Sequence, residues 1–266
     1  MIRDNYMKKT KLLFLAVLVA MASCTTYKKV PYLQNSATLD TSVVSELYDA
    51  RIQPKDMLTI TVNSERPEVA APFNLVVQSP MAANSRSMTS QPVLQTYLVD
   101  NDGCIEFPTL GRLHVGGMTK GEVEELIREK IKSNFANPPI VNVRMANYKI
   151  SVLGEVARPN SYIISNEKVN ILEALALAGD LTVYGKRDGV KLIRESADGT
   201  KKIVSVDLND ANVIYSPYYY MQQNDILYVE PNKAKARNSG VSNMTSMWFS
   251  ATSLLLTVVT FMLNIL

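Results

Sequence analysis

Residues 247–266 form a run of twenty residues without a charged side chain, and this run limits what the chain can become. At 1.5 Å per residue a helix of that length reaches about 30 Å, the thickness of a bilayer's hydrocarbon core. The run is not uniformly apolar. Ser239, Asn243, Ser246, Ser250, Ser253, Thr257, Thr260 and Asn264 recur at intervals that alternate between four and three. On a helix these residues keep to one line, while Leu254, Leu255, Val258, Val259, Phe261, Met262 and Ile265 hold the opposite face. Trp248 and Phe249 stand near the start of the run, where interfacial aromatics belong, preceded by Lys233, Lys235 and Arg237. The pattern predicts a C-terminal membrane-spanning α-helix with one wetted edge. Such an edge has two uses. Copies of the chain standing side by side can turn it inward around water and a polar polymer, or it can be a tight seam between helices in a plain anchor.

The other end carries an address. Lys8, Lys9 and Lys11 precede an apolar stretch, 12–21, and then Ala22-Ser23-Cys24. This is the layout of a secretory signal peptide over 1–23, and its ten apolar residues are too few to span a bilayer. Met1 and Met7 are both possible starts. The segment ending at Cys24 resembles the lipobox of bacterial lipoproteins, with Met21 where leucine is usual. That resemblance implies a lipid on the Cys24 thiol. It also implies sorting to the outer membrane of a Gram-negative envelope, because Thr25 replaces the aspartate of inner-membrane retention. A signal peptide with a chance cysteine is the alternative.

Charge and rare residues exclude several classes. The net charge of +3 lies within residues 1–23, where Arg3, Lys8, Lys9 and Lys11 face one anion, Asp4. Residues 24–266 are therefore neutral overall, which removes the electrostatic motive for binding nucleic acid. Two cysteines and one histidine leave no disulfide framework and no cysteine or histidine metal cluster. With Cys24 acylated, Cys104 is expected to be a buried small apolar residue. The stretch from Gly179 to Arg187 imitates a phosphate loop, but its glycine spacing is one too long and Arg187 replaces the Ser/Thr that holds magnesium. Gly179 is expected to stop a helix instead. His114, between Leu113 and Val115, reads as a strand histidine without metal partners. Tyr215, Tyr218, Tyr219 and Tyr220 suit either sugar stacking or packing. No cofactor, no metal and no enzyme activity are expected.

Between the ends, residues 24–50 read as a tether and docking segment, with a helical pattern at 43–47. Two α+β units follow, over 51–146 and 147–232, with a linker at 233–246. In the first, 57–62 is a strand, 78–92 a long loop, and 96–99 with 104–107 a hairpin around Gly103. Thr119 with Glu122 starts a helix that buries Val123, Leu126, Ile127 and Ile131, and 140–145 is a further strand. In the second, strands at 149–153 and 162–164 lead into a helix at 170–178. Strands 190–194 and 202–206 then pair around Asp198-Gly199, and 225–229 closes the unit.

These residues match a family. Gln53-Pro-Lys-Asp-Met-Leu-Thr-Ile60 resembles the opening of the polysaccharide-export domain. Val99-Asp-Asn-Asp-Gly-Cys-Ile-Glu-Phe-Pro-Thr-Leu-Gly111 and Val115-Gly-Gly-Met-Thr119 resemble its centre. Val152-Leu-Gly-Glu-Val-Ala-Arg-Pro159 and Asn170-Ile-Leu-Glu-Ala-Leu-Ala-Leu-Ala-Gly179 resemble the soluble-ligand-binding β-grasp domain (SLBB). Asn160 and Asp180 depart from the pattern, standing where glycine is frequent. A single β-grasp module is found where larger members carry two. The family is that of outer-membrane lipoproteins exporting capsular polysaccharide and exopolysaccharide. The resemblance implies a homo-oligomeric ring in the lipid membrane, with the eight stripe residues lining a helical pore. It also implies an inner-membrane polysaccharide co-polymerase of the tyrosine-kinase type as partner. The alternative is a periplasmic glycan-binding or scaffold lipoprotein that conducts nothing.

Overall fold

A computed structural model describes residues 30–39, 48–78, 92–196, 198–240, 247–248, 250–254 and 257–258. The first unit contains β1 (Met57–Asn63), α1 (Pro67–Ala70), β2 (Val76–Gln78), β3 (Pro92–Leu94), β4 (Thr96–Leu98), β5 (Cys104–Phe107), β6 (Gly111–His114), α2 (Lys120–Ile131) and β7 (Ile140–Met145). β1 is the middle of an antiparallel sheet ordered β4-β1-β7, and its alternation puts Leu58, Ile60 and Val62 into the core. Thr119 and Glu122 form the expected capping box, each side chain bonding the other's backbone N–H. Val123, Ile127 and Ile131 are fully buried, on the side of α2 that packs against β7.

The expected hairpin of 96–99 with 104–107 is not formed. β4 pairs with β1, and β5 pairs instead with β6, in the register Cys104↔His114. The cause is local: the Asp100 carboxylate accepts from the N–H groups of Asp102 and Cys104, and Gly103 lies at φ +76. This tight turn redirects the chain before 104 can lie along 98. Cys104 is half-buried rather than buried, with its Sγ 3.6 Å from His114 Nδ1.

The second unit contains β8 (Lys149–Gly154), β9 (Asn160–Ile163), α3 (Ile171–Leu177), β10 (Gly185–Glu195), β11 (Lys201–Val206) and β12 (Ile226–Pro231). Their order is β11-β10-β12-β8-β9, with the first and last strands parallel at the centre and a hairpin on either side. With α3 packed beside β8, this is the β-grasp arrangement. Asn170 and Glu173 cap α3, and Gly179 ends it at φ +75. Asp180 keeps a glycine-like φ of +72, and its carboxylate accepts from the N–H of Leu181 and the hydroxyl of Tyr32. Asn160 opens β9 in the extended backbone that any residue can adopt. Residues 33–35 bond along 208–211, through Leu33 N–H to Leu208 O and Asn35 Oδ1 to the Ala211 N–H.

The two units share one apolar core and are clasped by a carboxylate. β7 is a sheet edge whose outward N–H groups need acceptors. Glu124 Oε1 accepts from Val143 at 2.9 Å, and Glu167 Oε1, from the second unit, accepts from Met145 at 2.7 Å. The other Glu167 oxygen accepts from Lys120 Nζ at 3.1 Å.

The turns that open β1 and β12 are alike. In Gln53–Asp56 and Gln222–Asp225 the aspartate carboxylate accepts the glutamine N–H, at 2.8 and 2.7 Å, and the third residue has positive φ. The two glutamine side chains meet at 3.4 Å. Asp225 is paired with Arg194 at 2.7 Å, both largely buried. Among the described residues no cation pairs with Asp56, and its Oδ1 is buried without a partner.

The expected C-terminal membrane-spanning helix is overturned. Among the described residues no helix is long and apolar enough to cross a membrane. α4 (Lys233–Gly240) has eight residues and includes Lys233, Lys235 and Arg237. At 1.5 Å per residue it rises only about 12 Å. Beyond it, the described residues 247–248, 250–254 and 257–258 are helical. Periodicity fixes which residues share a helix face, but by itself it does not establish a helix of spanning length. Residues 40–47, the signal peptide and 79–91 lie outside the described residues, and of the expected loop 78–92 the described ends, Gln78 and Pro92, belong to β2 and β3.

Two outcomes follow from the twin turns. Burial pushes the Asp56 carboxyl up to about 6, above its unfolded value. Its ionisation therefore opposes folding as pH rises from about 4 to above 6, by on the order of 2 kcal/mol. Denaturant titrations at pH 4.5 and 7.5 should show this slope, and Asp56→Asn should flatten it. Arg194→Met should destabilise the fold by about 3–5 kcal/mol, because it strands the Asp225 charge. Adding Asp225→Asn should restore most of that loss.

Candidate functional site

Cys24 lies outside the described residues, as do Asn243, Ser246, Thr260 and Asn264. Ser239 falls in α4. Ser250, Ser253 and Thr257 are helical and exposed. Within this group the hydroxyls turn to their own backbone: Ser253 Oγ donates to Ser250 O at 2.9 Å and Thr257 Oγ1 to Ser253 O at 2.8 Å. A hydroxyl that donates backward keeps its lone pairs outward as acceptors. Ser253 and Thr257 thus present weak acceptors rather than strong binding groups.

The tyrosine cluster is a packing device at the seam between the units. Tyr48 stacks on Tyr220 with ring centroids 4.8 Å apart, and Tyr219 meets Tyr220 edge-on at 5.2 Å. Lys168 Nζ lies 4.8 Å from the Tyr220 ring, and the Arg194 guanidinium 5.5 Å from that of Tyr218. Tyr148 and Tyr48 both donate to Met221 O, at 2.7 and 3.1 Å, and burial pushes both phenols up, so they stay protonated donors. The faces of Tyr218 and Tyr220 are therefore engaged by neighbours. Sequence pattern alone did not reveal Tyr48 as a member, because it is far from the cluster along the chain.

Beside this seam the β-grasp unit carries an open cleft of about 570 Å³. Arg158, Ser165, Asn166, Lys168 and Glu173 offer donors and one carboxylate, and Ile163 and Leu177 are its apolar flank. Hydroxyl-rich or acidic ligands suit that mixture. The Gly179–Arg187 loop holds no phosphate-like cradle: Arg187 is buried and its Nη1 donates to the carbonyls of Thr182 and Gly185. Among the described residues no group of three or more His, Cys, Asp or Glu side chains could hold a metal ion.

Two family models match the chain, in sequence order. Residues 44–146 match the family described as polysaccharide biosynthesis/export protein, and residues 148–229 match the SLBB domain. The chain is similar to the EPS I polysaccharide export outer membrane protein EpsA of Ralstonia solanacearum, 28% identical over 187 residues. That alignment covers 69% of this chain and 48% of the relative. EpsA of Ralstonia nicotianae is likewise 28% identical over 187 residues, covering 68% of this chain and 47% of the relative. The chain thus spans about half the length of these curated relatives. With the export fold and the β-grasp fold clasped in the order of the two models, the chain belongs to the polysaccharide export family.

Proposed function

We propose that the chain is a lipid-anchored outer-membrane protein that exports capsular polysaccharide or exopolysaccharide as a ring of copies, with its bulk in the periplasm. The observation that carries this reading is the union of an export domain with one β-grasp domain through Glu167, in a chain similar to named exopolysaccharide exporters. Cys24 carries the lipid. The cleft around Arg158 and Lys168 is open to one side, so a passage for a hydrated polymer is enclosed by several copies. The polar stripe, Ser239, Asn243, Ser246, Ser250, Ser253, Thr257, Thr260 and Asn264, faces that passage. Weak and repeated contacts of this kind let a glycan slide, where tight ones would stall it.

Nothing in this passage calls for a cofactor or for covalent chemistry. The driving energy comes from an inner-membrane co-polymerase that feeds the polymer. A second reading, a glycan-binding scaffold that conducts nothing, is favoured by the polar cleft around Arg158 and Lys168.

The mass of the detergent-extracted complex should be a multiple of 29.6 kDa, less the signal peptide. A monomer removes the conduit and leaves the scaffold. Joint replacement of Ser250, Ser253 and Thr257 by leucine should abolish surface glycan while the protein stays folded and localised. Unchanged surface glycan would assign the stripe to anchoring alone.

A further inference from the structure

Both ends of the described body leave the β-grasp unit at one place. Val30 and Lys233, far apart in sequence, line the same cavity of about 400 Å³, together with Val183, Lys186, Arg187 and Asn232. The strand-end loop holds them there: Asn232 N–H donates to Tyr184 O at 2.7 Å, and Asn232 Oδ1 accepts from the Lys235 N–H at the start of α4.

The surface around this cavity is cationic and partly oily. Lys186, Arg187, Lys191, Lys233, Lys235 and Arg237 stand against Asp188, Glu230 and Glu155. Glu230 is shared by Lys186 and Lys191, and Glu155 is paired with Lys235. Arg187 is 9% exposed, has no carboxylate partner among the described residues, and keeps a buried Nε without an acceptor. Val183 is 80% and Val30 54% exposed beside these charges. Residues 233–237 of α4 are exposed, with Lys235 lying over the Tyr184 ring as well as against Glu155.

We propose that this face docks on the headgroups of anionic phospholipids, with the cavity receiving a phosphate and the two valines entering the interface. Chain length favours a membrane over an acidic glycan. Cys24 lies six residues before Val30, and six extended residues reach at most about 20 Å. Lys28 and Lys29 fall inside that stretch. The placement, though not the chemistry, rests on Cys24 being the anchored residue. Basic residues near an anionic surface add about 1 kcal/mol each and orient the body that the lipid holds close to it.

The test uses the mature chain with Cys24→Ser and its co-flotation with phosphatidylcholine vesicles, with and without phosphatidylglycerol. Residues 247–266 carry no charge, so whatever they contribute is the same on both vesicles and the ratio of the two affinities isolates charge. Phosphatidylglycerol should tighten binding in a salt-sensitive way. Lys186→Gln with Lys233→Gln should lower the ratio by about fivefold per lysine. Lys201→Gln with Lys202→Gln, at the opposite end of β10's hairpin, should leave it unchanged. Equal binding to both vesicles overturns the proposal, and so does an equal loss in the Lys201/Lys202 control. Phosphatidylglycerol-independent flotation with Lys186- and Lys233-dependent binding of an acidic oligogalacturonate also overturns it, in favour of a glycan surface. The mass of the unsubstituted chain reports acylation of Cys24 separately, so the anchor can fail while the docking face stands.

Discussion

A sheet that ends in the middle of a protein leaves every second N–H pointing at nothing, and the outer edge of β7 is such a place. Two carboxylates meet that need. Glu124 comes from the helix packed on the same strand, while Glu167 crosses from the other unit and takes Lys120 as well. Glu167 sits at φ +56 and is 7% exposed, so the backbone is bent and a charge is buried to make this reach. Left without an acceptor, the Met145 N–H alone would cost about 1–3 kcal/mol. The relative placement of the export and β-grasp units therefore depends on a hydrogen bond between them as well as on their shared apolar core.

The twin Gln-x-x-Asp turns show one local solution used twice with different electrostatics. Each starts a central strand, and the two touch through Gln53 and Gln222. At β12 the aspartate has Arg194, which also donates to Tyr220 O at 3.0 Å and so ties the turn to the tyrosine cluster. At β1 the aspartate has only backbone and amide neighbours among the described residues, and burial pushes its carboxyl up to about 6. Burial pushes the Asp225 carboxyl up as well, but there the Arg194 cation works against the rise, so Asp56 is the turn without a compensating charge. Both lie at the seam, so a change in the Asp56 charge acts where the units meet.

Local chemistry was legible in the sequence, and long-range chemistry was not. Thr119 with Glu122, and Asn170 ahead of Gly179, announce their helices because capping is decided within four residues. Alternation identifies β1 and β7, and the family resemblance supplies the β-grasp order that the sheet then displays. The 96–107 hairpin was misread because the Asp100 side chain, rather than strand propensity, chooses the turn. Cys104 was expected to be buried from residue type alone, yet its place on a two-stranded hairpin leaves it half-exposed beside His114. The oily C-terminal run invites a spanning helix, yet among the described residues no helix is long and apolar enough to cross a membrane, because composition and period set a helix's face and not its length. Glu167, Tyr48 and Arg187 carry no signal in their own neighbourhoods. Each is defined by a partner that only the fold brings near.

Several of the exposed apolar residues lie on strands at sheet edges. Val76, Val77 and Val93 are about half exposed on the β2–β3 ribbon, Ile163 is 77% exposed on β9, and Ile203 is 67% exposed on β11. A two-stranded ribbon is marginal in water by itself, and Val76 and Val77, being adjacent, point to opposite faces of it. Packing against the rest of one copy does not cover both. β9 and β11 end the β-grasp sheet on its two sides, so among the described residues each copy presents two different edges. Two unlike edges suit head-to-tail contacts, which close into rings when the rotation between copies permits. The proposed ring would cover the apolar groups that a single copy leaves in water, with the same contacts that enclose the glycan path.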